Sequence, residues 1–84
     1  MANRRMFSLD IVDTDAFLDL PISSQTLYFH LGIRADNDGF VSSPKRVLKM
    51  IGTSEYELRI LIAKGFVIAL SDGIMVVRNW RQDE

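Results

Sequence analysis

Glycine and proline punctuation in the second half of the chain leaves few folds open. Ser43-Pro44 is a helix cap followed by proline at the first helical position. Val47, Leu48 and Ile51 then recur at helical spacing, and Gly52 ends the segment. Only Thr53 separates it from Ser54-Glu55-Tyr56-Glu57, a capping box in which serine and glutamate satisfy each other's backbone donors. That box opens a second helix, to Lys64, with Gly65 as its stop. Two β-prone runs follow, 66–70 and 74–78, with Ser71-Asp72-Gly73 between them as a tight hairpin turn. Two helices joined at Gly52-Thr53 are spaced as a helix-turn-helix requires. A hairpin directly after the second one predicts a winged helix-turn-helix.

The first half supplies two more helices and a scrap of strand. Asp13-Thr14-Asp15-Ala16-Phe17-Leu18 begins with capping types and acids suited to a helix N-terminus, and the helix stops before Pro21. Ser23 or Ser24 is the expected cap of a longer helix running to about Ala35. There Leu27, Leu31 and Ala35 recur every four residues with Tyr28 beside them, Phe29 and Ile33 make a second apolar row, and only Thr26, His30 and Arg34 make a polar one. A helix apolar on most sides is packed on most sides. Asp36-Asn37-Asp38-Gly39 is turn chemistry, and Phe40-Val41 is long enough for only a very short strand. The expected fold class is therefore mainly α with a small β-hairpin, α+β, in a single domain over 1–84.

Size and composition set limits on that domain. Eighty-four residues hold one domain, and a chain this short has a marginal core. There is no cysteine, hence no disulfide and no thiolate metal site. No apolar run approaches the ~20 residues of a membrane span, and no secretory signal is visible, so a cytoplasmic protein without membrane partners is expected. The net charge of −1 at first argues against a nucleic-acid partner. The charge is split, however. Residues 1–38 sum to −3, residues 39–82 to +4, and Asp83 and Glu84 restore the total. Such asymmetry points to a charged partner.

In a helix-turn-helix the second helix normally lies in the major groove. Here that helix is a poor reader of bases. Leu58, Leu61 and Ile62 form its core stripe, and Glu55 stands four residues before Arg59, suited to pairing with it. Tyr56, Ile60 and Ala63 form a second apolar stripe, roughly opposite the core. That stripe is expected either to be covered by another part of the domain, such as the short N-terminal helix, or to serve as a self-association surface. The hairpin turn carries no basic residue. Lys45, Arg46 and Lys49, on one face of the preceding helix, are the best phosphate candidates, with a merely solvated helix face as the alternative. Arg59 and, if the N-terminal arm and the last strand lie on that side, Arg4, Arg5, Arg78 and Arg81 extend the set. Contacts of that type give affinity without sequence reading. Trp80 is expected to close the core beneath the hairpin, with base stacking as the alternative.

Catalysis has no foothold. His30 is a lone histidine on a polar row, suited to a surface or half-buried hydrogen bond. An EF-hand reading of Asp36-Asn37-Asp38-Gly39 would place Arg34 and Lys45 at ligand positions, which excludes calcium. There is no phosphate-binding loop, no nucleophile elbow and no histidine pair. Neither an enzyme nor a cofactor is expected.

The residues also carry a family resemblance over nearly the whole chain. It lies in Arg5-Met6-Phe7-Ser8, Ile11-Val12-Asp13-Thr14-Asp15-Ala16-Phe17-Leu18, Leu27-Tyr28-Phe29-His30-Leu31-Gly32, Arg34 through Val41, Pro44-Lys45-Arg46 and Leu61-Ile62-Ala63-Lys64-Gly65-Phe66-Val67-Ile68. These segments resemble the N-terminal region of phage replisome organisers, the replication initiators of phages and prophages of low-GC Gram-positive bacteria. The resemblance implies a winged helix related in role to DnaD-type primosome proteins. It also implies binding to the phage origin DNA and recruitment of helicase-loading proteins. Family members usually run on past Asn79-Trp80-Arg81 into a basic segment and a longer C-terminal region. The chain is thus expected to be the N-terminal part of a longer protein, with its helicase-loading contacts elsewhere.

Overall fold

The computed structural model describes residues 9–36, 39–70 and 73–77. Five helices and three strands follow in the order α1 (Leu9–Val12), α2 (Asp15–Leu18), α3 (Ile22–Arg34), β1 (Phe40–Val41), α4 (Pro44–Ile51), α5 (Glu55–Ala63), β2 (Val67–Ala69) and β3 (Met75–Val77). The class is α+β, mainly helical with a three-stranded antiparallel sheet. None of the described helices is long and apolar enough to cross a membrane.

The first helix differs from the expectation. Of the capping types at its start, Thr14 is the one that caps it: the Thr14 side chain accepts from the Phe17 backbone N–H, and α2 starts at Asp15. A separate turn, α1, precedes it, and the Thr14 hydroxyl also donates to the Ile11 carbonyl at 2.8 Å. The start of α3 needs a second correction, because neither Ser23 nor Ser24 caps it. Pro21 holds that position, and its carbonyl accepts from the Ser24 and Gln25 backbone N–H groups. Pro21 ends one helix and also opens the next. Both serine hydroxyls are spent elsewhere, on Glu57 of α5.

In α3, Leu27, Tyr28, Leu31 and the terminal Ala35 are buried, and the helix packs against α4, α5, β1 and β3. The second apolar row splits: Phe29 packs against the core, whereas Ile33 is exposed. Phe17 of α2 is fully buried, with edge-to-face contacts to Tyr28, Phe29 and Phe66 at centroid distances of 5.2, 5.7 and 5.5 Å. This aromatic cluster ties the N-terminal turn to α3 and to the exit of α5. Burial raises the pKa of the Tyr28 phenol above its ordinary value.

Helices α4 and α5 keep the boundaries expected from their punctuation. Gly52 adopts φ 77°, the left-handed conformation that releases the chain after α4. At the end of α5 the Phe66 N–H bonds the Leu61 carbonyl and the Gly65 N–H bonds that of Ile62, a Schellman closure. The chain then enters β2. The hairpin β2–β3 is shorter than the two apolar runs, and β1 joins it on the far side of β3, so the sheet order is β1-β3-β2. Phe40, Val76 and Ile68 lie in one cross-strand row, while Val41, Val67 and Val77 point into the core.

Candidate nucleic-acid interface

The α4–α5 pair presents the basic face that the sequence suggests. Val47 and Leu48 turn inward, which leaves Lys45, Arg46 and Lys49 exposed together on the other side of α4. The Ser54 cap of α5 is complete. The Tyr56 N–H donates to Ser54 Oγ at 3.2 Å, and the Ser54 N–H donates to Glu57 Oε1 at 3.1 Å. The Ser54 hydroxyl, then its backbone N–H, holds the Glu57 carboxyl below the ordinary glutamate pKa.

The expected pairing of Glu55 with Arg59 does not occur. Glu55 Oε2 instead meets Lys45 Nζ at 3.5 Å, across the α4–α5 turn. At the first position of α5 the carboxylate projects back toward α4, closer to Lys45 than to its own helix face. The pair is solvent-exposed, so it adds little to stability, but it offsets the charge of one of the three α4 cations. Arg59 is exposed on α5.

The outer stripe of α5 is uneven. Tyr56 is 63% exposed and Ala63 is exposed, but Ile60 is half-buried and packs against the core. Three-residue and four-residue steps drift around a helix, so Ile60 falls nearer the buried side than its neighbours in the stripe. Arg4, Arg5, Arg78 and Arg81, together with Trp80 and the Ser71-Asp72 part of the hairpin turn, lie outside the described residues.

Arg34 is a basic residue that sequence reasoning did not assign to the interface. It is exposed in the last turn of α3, where its Nη1 donates to His30 Nδ1 at 3.0 Å and to the His30 carbonyl at 3.2 Å. His30 is thus the half-buried hydrogen-bonding residue its pattern suggested. Arg34 and Arg46 line one cleft of about 270 Å³ with Ser42, Ser43 and the apolar Val41, Val47 and Met50. On its other side Arg34 borders a depression walled by Asp36, Phe40, Leu70 and Ile74. No local signal links Arg34 to Arg46. They meet because β1 folds back between α3 and α4.

No family model matches this chain, and no curated protein or solved structure matches it either.

Proposed function

We propose that this chain is a DNA-binding winged-helix domain of a phage replication initiator, contacting origin DNA mainly through phosphates. The observation that carries the reading is the exposed cationic face of α4, set in front of a tight turn, a capped second helix and a β-hairpin. The sequence resemblance supplies the replication role, the origin as partner and the bacterial cytoplasm as location. Phosphate contact rather than base reading follows from α5, whose first turn carries Glu55 and Glu57 where a reading helix needs donors for base edges.

A salt titration of duplex binding by the 84-residue chain tests this. Log affinity should fall linearly with log salt, and replacing Lys45, Arg46 and Lys49 together by glutamine should flatten the slope by up to about 3. Absence of DNA affinity at low salt refutes the reading for this domain.

A second reading, self-association or protein docking through α5, is favoured by one observation: Tyr56 stands largely exposed at the start of a helix whose Ala63 end is also open. The two readings are compatible, because weak phosphate contacts gain from oligomerisation through effective concentration.

A further inference from the structure

We propose that the cleft between the end of α3 and α4 is a phosphate site, in which Arg34 and Arg46 together hold one backbone phosphate of a nucleic acid. The source of the phosphate rests on the DNA-binding reading above; the site itself rests on its own geometry.

Arg34 and Arg46, from separate helices, line the same cleft, and so do the hydroxyl-bearing Ser42 and Ser43. Ser43 stands at the N-cap position of α4, yet its side chain makes no capping hydrogen bond, so the hydroxyl is not spent on the helix. Arg34 is anchored. Its Nη1 is committed to His30, which fixes the planar group and leaves the Nε and Nη2 donors for a ligand. A fork held in this way is suited to paired hydrogen bonds with two oxygens of one phosphate. Among the described residues neither arginine forms an ion pair with a carboxylate, in contrast to Lys45.

Volume narrows the occupant. A cleft of about 270 Å³ is below the ~300–1,000 Å³ that drug-sized ligands fill. That suits a phosphate with part of its sugar, presented by a chain passing over the surface. Val47 and Met50 give the sugar an apolar wall. Asp36 borders Arg34 in the neighbouring depression and does not line this cleft.

The test uses the full chain, a short labelled duplex of arbitrary sequence, and inorganic phosphate as separate probes. Side-chain Nε–Hε resonances of Arg34 and Arg46 are followed by NMR, and duplex affinity is measured against salt for the wild type, for Arg34→Gln and for Arg34→Gln with Arg46→Gln. Circular dichroism confirms that each variant is folded. If one phosphate is held by both arginines, the duplex shifts both resonances. The double variant then loses roughly tenfold in affinity and about 0.9 of the salt slope. A duplex that leaves the Arg34 resonance unmoved, and that binds Arg34→Gln with unchanged affinity and slope, overturns the cleft while the DNA-binding reading stands. No duplex binding, with inorganic phosphate still shifting both arginines, supports the site and overturns its nucleic-acid source along with the DNA-binding reading. No response to either probe overturns both.

Discussion

The side chain of Glu57 serves two helices. One carboxylate oxygen accepts the Ser54 backbone N–H at 3.1 Å, completing the cap of α5, and the other accepts the Ser23 hydroxyl of α3 at 3.1 Å. The next residue, the fully buried Ser24, donates its hydroxyl to the Glu57 carbonyl at 3.3 Å. The first turn of α3 is therefore joined to the first turn of α5 by groups whose local pattern reads only as caps.

This double use makes acid stability depend on Glu57. Its folded-state pKa lies below the ordinary value of 4.5. Its contribution is therefore fully present above that value and is lost as pH falls through the depressed folded value. Urea midpoints measured between about pH 2 and pH 7 should fall on the acid side of that range, and Glu57→Gln should remove part of the dependence. An unchanged acid profile in the variant would show that Glu57 is not linked to folding.

Phe17→Ala should be the most damaging single change in the N-terminal third. The ring is fully buried against Tyr28, Phe29 and Phe66. Its loss is expected to cost about 3–5 kcal/mol, a large share of the stability of a small domain. Denaturant unfolding followed by circular dichroism measures it, and a loss below about 1 kcal/mol would contradict the packing described here.

Gly52→Ala isolates backbone strain from crowding. A Cβ there would meet nothing within 4 Å, but the residue sits at φ 77°. The expected cost is about 1–2 kcal/mol, with Gly52→Asn milder because asparagine tolerates the left-handed region. Equal stability of the alanine variant and wild type would mean that the turn adopts another conformation.

Glu55→Gln should strengthen DNA binding if the proposed function holds. It removes an acid from the turn and releases Lys45 from its pair, while the exposed pair contributes only ~0–1 kcal/mol to folding. Anisotropy titrations at low salt should give a tighter complex with nearly unchanged thermal stability. Weaker binding would show that the lysine needs its partner for positioning.

Self-association is best probed at Tyr56 rather than at Ile60, because Ile60 packs against the core and a charge there would unfold the domain. Sedimentation should show Tyr56→Ala shifting any oligomer toward monomer without loss of helicity. A strictly monomeric wild type at high concentration would remove the second reading.

The short turn between α4 and α5, the Ser54 capping box, the glycine stops at Gly52 and Gly65 and the β2–β3 pairing were all legible in the sequence. Each depends on backbone chemistry within a few neighbouring residues, and such preferences survive into the fold. The basic face of α4 was legible for the same reason, because helical periodicity alone separates Lys45, Arg46 and Lys49 from Val47 and Leu48. Tertiary structure decided the rest. Ser23 and Ser24 carry the chemistry of caps, but α5 lies close enough to take their hydroxyls, and the Pro21 carbonyl starts the helix without them. Glu55 had a partner available at helical spacing, yet the path of the turn brings Lys45 to it. Arg34 and Arg46 are unrelated in any local pattern, and they line one cleft only because β1 joins the sheet beside β3 and draws the end of α3 against α4. Interactions fixed by short-range geometry can be read from the order of residues. Those that depend on which elements meet are set by packing the whole core.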